Sequence, residues 1–241
     1  MATAQGNPET VYQDPLVNYL ISMAWTVEGN VNRALDALVQ EDESGAVELA
    51  GRIFLHEPRI NEMEIVIDEH AVRLLRGNLQ DMEIREVVAV LKITNDLERM
   101  GDLAVNTGER VISLAQMPKA EAPSELAPMT AAVRAIVNKS LDALIFRNVV
   151  LAGEVLESDD VVDSYRDQVF ERQLAGMQED PTRAGPNMQF VLVTRYLERI
   201  ADHATNIAED IIFWLRGLDV RHGRGRVAAV SKSSEGVTEN S

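Results

Sequence analysis

Residues 97–109 read LERMGDLAVNTGE, and residues 197–209 read LERIADHATNIAE. Seven of the thirteen positions are identical and in register: Leu, Glu, Arg, Asp, Ala, Asn and Glu. Most of the shared residues are polar, so the demand for a filled core does not explain the match. The chain is therefore internally duplicated, and each copy keeps an acidic stripe. On a helix each residue turns the side chain by about 100°. Glu98, Asp102, Asn106 and Glu109 then share a sector of roughly 80°, as do Glu198, Asp202, Asn206 and Glu209. Like charges four residues apart destabilise an isolated helix, so the stripes call for a cation or a basic partner. The neighbouring Arg99 and Arg199 point about 100° away and are poorly placed to neutralise the stripe.

Two further acidic pairs lie upstream. Glu64 and Asp68 precede Glu98, and Asp163 and Asp167 precede Glu198, each at a separation that allows one helix, a turn and a return. Antiparallel helices would bring Glu64, Asp68, Glu98 and Asp102 together in the first half. Asp163, Asp167, Glu198 and Asp202 would meet in the second. Asn61 and Asp160 offer a further oxygen one turn earlier. Four converging carboxylates raise one another's pKa, and a multivalent ion relieves the repulsion. An all-oxygen ligand set suits magnesium, manganese, calcium or iron, and zinc less well. A single E-x-x-x-D is ordinarily a solvated helix face; its duplication at matched spacing is what favours a metal. His203 aligns with Leu103, so it reads as a surface or supporting group and not as a required ligand.

Composition narrows the class. The 241 residues have no cysteine, which excludes disulfides, thiolate metal sites and cysteine nucleophiles. A formal charge of −16 argues against nucleic-acid binding. The opening MATAQGNPETVYQD lacks the basic and apolar regions of a secretory signal. No apolar run is long enough to span a membrane. Aromatics are few, and Ala, Leu, Val, Glu and Arg dominate, as in an all-helical chain.

Apolar spacing predicts long helices over about 14–41, 59–79 and 82–116, with a short arm at 46–55. MPKAEAPSELAP (117–128) reads as a linker. The second half repeats the plan with helices over about 129–156, 159–178 and 187–216. The expected architecture is all-α: two tandem three-helix bundles related by internal duplication. Residues 14–117 form the first bundle, 118–128 the linker and 129–217 the second. Residues 1–13 and 218–241 read as disordered. NRALDAL (32–38) matches NKSLDAL (138–144), and LAG recurs at 49–51 and 151–153, so the offset between the halves drifts from 106 to 102 to 100.

Enzyme signatures are missing. No P-loop, dinucleotide fingerprint, H-E-x-x-H or G-x-S-x-G occurs. No histidine follows a Glu by three residues, as ferritin-like di-iron bundles require. A metal-dependent hydrolase or oxidase, with carboxylate-bridged ions activating water, is the alternative to a non-enzymatic regulator.

LERMGDLAVNTGE and RYLERIADHATNIAE resemble the two signature helices of the PhoU family, the phosphate-specific transport system accessory proteins. The resemblance runs from about Leu16 to about His222. The acidic pairs, the LDAL helices and the closing DVRH (219–222) support it. It implies two similar three-helix bundles whose E/D-x-x-x-D motifs bind metal. Carried over, Glu64, Asp68, Glu98 and Asp102 would hold one site, and Asp163, Asp167, Glu198 and Asp202 the other. The ion would be iron, zinc, manganese or magnesium. The resemblance further implies a cytoplasmic, often homodimeric, non-enzymatic negative regulator of phosphate homeostasis. Such a protein would link the ATPase subunit of the phosphate ABC transporter to the phosphate sensor histidine kinase. Leu103 departs from the family, where a His commonly follows the Asp of the first signature, so the halves are not expected to be equivalent.

Overall fold

A computed structural model of the chain describes residues 15–158 and 160–221. The expected disordered stretches, 1–13 and most of 218–241, lie outside them. The described residues contain eight α-helices and no strand. In the first half these are α1 (Pro15–Val39), α2 (Glu43–Phe54), α3 (Glu57–Leu75) and α4 (Asp81–Ala115). In the second they are α5 (Leu126–Ile145), α6 (Val149–Leu156), α7 (Asp160–Glu179) and α8 (Ala184–Arg216). Each half is a three-helix bundle whose first helix is broken, so that α2 and α6 are the arms of α1 and α5.

Local chemistry sets the breaks. The Asp42 carboxylate accepts from the Gly45 N–H at 2.8 Å and caps α2. Pro58 lies in the first turn of α3, where its missing N–H costs nothing. Gln80 and Glu83 form a capping box at the start of α4, the Gln80 N–H donating to Glu83 at 2.7 Å. The helix expected over 129–156 is broken, as the LAG phrase recurring at 151–153 allows. Arg147 takes φ 48°, and Asn148 caps α6 through the N–H groups of Val150 and Leu151. A positive φ at a non-glycine residue is strained, and tertiary contacts hold it: the Arg147 guanidinium lies 4.7 Å from the Trp214 ring centre and 4.0 Å from Glu86. At the other end, Gly217 at φ 67° terminates α8, its N–H donating to Phe213 at 2.8 Å.

The two halves do not fold around separate cores. One contiguous apolar cluster takes Leu16, Leu20, Ile93 and Met100 from the first half and Val133, Leu141, Leu197 and Ile207 from the second. The α4–α8 pairing is the most extensive helix contact, and α1 packs on α5 beside it. The centre is thus a slab of α1, α4, α8 and α5. Helices α3 and α7 pack on the outside, chiefly against the other helices of their own bundle.

The α4–α8 seam is antiparallel and unusually polar. Lys92 pairs with Asp210, which is 4% exposed. Asp96 accepts from Asn206 at 3.3 Å and lies 2.7 Å from His203 Nδ1. Trp214 Nε1 donates to Glu86 at 3.2 Å, and Arg110 donates to Gln189 at 3.3 Å. Burial pushes the Asp210 carboxyl above the usual carboxylate range, while Lys92 opposes the shift.

Candidate metal centre

The second and third helices of each bundle carry the eight carboxylates that the sequence singles out. In the first bundle, α3 presents Glu64 and Asp68 to α4, which presents Glu98 and Asp102. These four form one electrostatic cluster. Burial raises the pKa of Glu64, and the charges of Asp68 and Asp102 add to the effect. Burial likewise raises Glu98, with Asp102 and Glu64 contributing. Gly101 lets the helices approach: a Cβ there would lie 3.1 Å from Ile60 Cδ1. Arg99 corrects the sequence-based expectation. Its side chain bends back to within 3.4 Å of Glu98 and 3.9 Å of Asp102. These are loose contacts from a half-exposed side chain, and they lower the carboxyl pKa values only in part.

The second bundle is built differently. Arg166, one residue before Asp167, lies among the carboxylates. Its guanidinium stands 3.2 Å from Asp163 and 2.9 Å from Asp167, and it ion-pairs with Glu198. Arg195 approaches Glu198 at 3.5 Å from the other side. Burial works against the Arg166 charge, but Asp167, Glu198 and Asp163 together outweigh it and raise its pKa. Asp202, on the same helix as Glu198, is also engaged in an interaction.

The buried register explains the difference. Ile60, Ile67 and Ala71 are the buried residues of α3; Val162, Val169 and Gln173 are those of α7, each 102 residues on. In that register Glu64 corresponds to Arg166, and Asn61 to Asp163. Matching the acidic pairs by spacing alone, as the sequence invites, therefore misaligns α3 with α7. Arg166 goes unnoticed in the sequence because a lone Arg between two Asp residues resembles any solvated helix face. Its one available signal is position: three residues after Asp163 and one before Asp167.

The stripe also divides along its length. Asn206 turns into the seam to meet Asp96, as His203 does, whereas Leu103 is buried in the apolar core. The Leu103/His203 difference therefore separates a core position from a seam position. Lys92, Asp96 and Asp210 escaped notice because they belong to no repeat.

Chemistry sorts the two clusters. The first offers carboxylate oxygens with excess negative charge, the donor set a hard cation takes. The second already holds a cation of its own. Among the described residues, no three His, Asp or Glu side chains stand at ligating geometry for a metal ion. No described helix is long and apolar enough to cross a membrane.

Comparison with known proteins agrees with the duplicated architecture. A family model described as "PhoU domain" matches residues 20–111 and again residues 126–211. The phosphate-specific transport system accessory protein PhoU homolog of Pseudomonas aeruginosa is 34% identical over 209 residues, covering 85% of this chain and 84% of that protein. The homolog from Clostridium acetobutylicum is 31% identical, covering 86% of this chain and 94% of its own length. The crystal structure of PhoU from Pseudomonas aeruginosa superposes with a TM-score of 0.77 at 32% identity, covering 84% of this chain and 96% of that one. The phosphate transport system regulatory protein PhoU from Streptococcus pneumoniae shares the fold, with a TM-score of 0.75, covering 85% of this chain and 95% of that one.

Proposed function

The chain belongs to the PhoU family of phosphate transport accessory and regulatory proteins, and we propose that it acts as a non-enzymatic negative regulator of phosphate homeostasis. In this reading it is a cytoplasmic homodimer that links the ATPase subunit of the phosphate ABC transporter to the phosphate sensor histidine kinase. The observation that carries the reading is the match of both halves to the same family domain, with the acidic phrase kept in register on α4 and α8.

Glu64, Asp68, Glu98 and Asp102 would hold a multivalent ion in the first bundle. Iron, manganese and magnesium suit the oxygen donors, and zinc suits them less well. Such an ion would supply positive charge at a site where burial and mutual repulsion raise Glu64 and Glu98. The residues would bind and orient it between an outer helix and the central slab. The donor set brings no histidine that could serve as a general acid or base, which favours a structural or signalling role.

The test is capture of the two partners by the full chain at high and low phosphate. Recovery of the transporter ATPase and the sensor kinase, with phosphate changing the amount, is the expected result. Recovery of neither at any phosphate level overturns the proposed coupling.

A further inference from the structure

We propose that Arg166 is the resident cation of the second acidic cluster and confines multivalent-ion binding to the first bundle. This rests on the reading of Glu64, Asp68, Glu98 and Asp102 as an ion site. The repeat implies two equivalent sites; the side chains do not support that.

Three carboxylates, Asp163, Asp167 and Glu198, converge on one guanidinium. A guanidinium offers five N–H donors in a planar fork and never loses its charge near neutral pH. It is thus a fixed, correctly charged occupant of the space an ion would need. The Arg166 side chain is only 20% exposed. Displacing it would take the close cation from Glu198, whose side chain is only 14% exposed, and leaving a covered charge without its partner is unfavourable. Arg195 adds a second positive charge beside Glu198.

The first cluster has no such occupant. Glu64 stands where Arg166 stands in the buried register, turning a cation into an anion at the matching position. Arg99 is 52% exposed and touches the cluster from its edge. It can swing into solvent at little cost, because exposed ion pairs contribute little. One substitution between repeats, Glu in one and Arg in the other, thus separates a cluster that needs an ion from one that carries its own.

The experiment is titration of the full chain with Mn2+, read by electron paramagnetic resonance, together with melting temperatures with and without Mn2+. Wild type is expected to show one class of sites, abolished by Glu98→Gln and retained in Glu198→Gln. Arg166→Gln is expected to add a second, Glu198-dependent class binding at least about tenfold tighter than any residual binding there. Its melting temperature is expected to drop without the ion and recover with it. Arg166→Lys keeps the charge but loses the fork, and folds more safely; it is expected to give an intermediate gain. If Glu198→Gln abolishes half of the wild-type binding, the inference is overturned while the ion reading stands. If wild type binds no Mn2+ but Arg166→Gln gains a site, Arg166 stands as the resident cation of the second cluster, while the confinement of ions to the first bundle fails together with the reading of that cluster. If neither Arg166 variant gains binding, the inference is overturned.

Discussion

At the residue scale, Glu98 carries the main energetic argument. It is largely covered, its pKa is raised first by burial and then by Asp102, and no basic group neutralises it fully. A carboxyl whose folded pKa exceeds its unfolded value of about 4.3 stabilises fully below that value and loses the contribution as pH rises through the folded one. Glu98→Gln is therefore expected to stabilise the ion-free protein at neutral pH. The gain is about 0.5 kcal/mol, the scale of a like-charge helix pair. It should shrink to nothing near pH 4, where both proteins carry a neutral group. Denaturant melts of both proteins across pH 4–8, a range set by the carboxylate reference values, check this; a gap constant with pH would contradict it. His203 illustrates a different residue-scale point. A histidine beside an acidic stripe invites a metal assignment, yet it turns to Asp96 across the seam.

At the element scale, the α3–α4 contact depends on a traded volume. Gly101 faces Ile60, and the second bundle has Ala201 and Val162 at the matching positions. Gly101→Ala would place a methyl 3.1 Å from Ile60 Cδ1 in a closed core. Overpacking costs about 1–3 kcal/mol, and alanine returns about 1 kcal/mol of helix propensity. The expected outcome is a net loss of roughly 1 kcal/mol. Adding Ile60→Val should restore most of it by reproducing the second bundle's pair. Chemical denaturation of the two single variants and the double variant measures the coupling.

How much was legible in the sequence also divides by element. Helices α1, α4, α5 and α8 announced themselves through long apolar stripes, because they line the central slab. The arm α6 showed only through the LAG phrase it shares with α2, since a break set by the strained Arg147 has no apolar signature. The α7 register was hidden because an outer helix buries few residues: Val162, Val169 and Gln173. With so few buried positions, acidic spacing seemed the better guide, and it matched Asp163 to Glu64 when the packing matches Arg166 to Glu64. The four carboxylates of the first cluster could be read directly, because Glu64, Asp68, Glu98 and Asp102 lie at one-turn spacing on two adjacent helices. The α4–α8 polar seam could not, because Lys92 and Asp210 are 118 positions apart and belong to no motif.

At the scale of the whole molecule, the continuous core makes the duplication a single cooperative body. Leu97 and Leu197 belong to the same apolar cluster. Separating the bundles would expose the apolar inner faces of α4 and α8 and break the Lys92–Asp210 pair across the seam. Thermal unfolding of the full chain is expected to show one transition, with calorimetric and van't Hoff enthalpies in agreement. Residues 15–115 expressed alone are expected not to yield a folded monomer. Two separated transitions would show that the halves are energetically independent.

The antiparallel α4–α8 seam also governs where this chain can change length. An inserted residue turns everything beyond it by about 100° around the helix axis. Placed within either seam helix, it would swing Lys92 away from Asp210 or Asp96 away from His203 and Asn206. Each long helix thus serves as the other's ruler. The drifting offsets between the halves agree with this constraint: 106 at the LDAL helices, 102 at the LAG arms and at the α3–α7 register, and a constant 100 across the thirteen residues of the repeated phrase. The length differences between the halves lie at the corners, and the repeated phrase on the seam helices has kept its count.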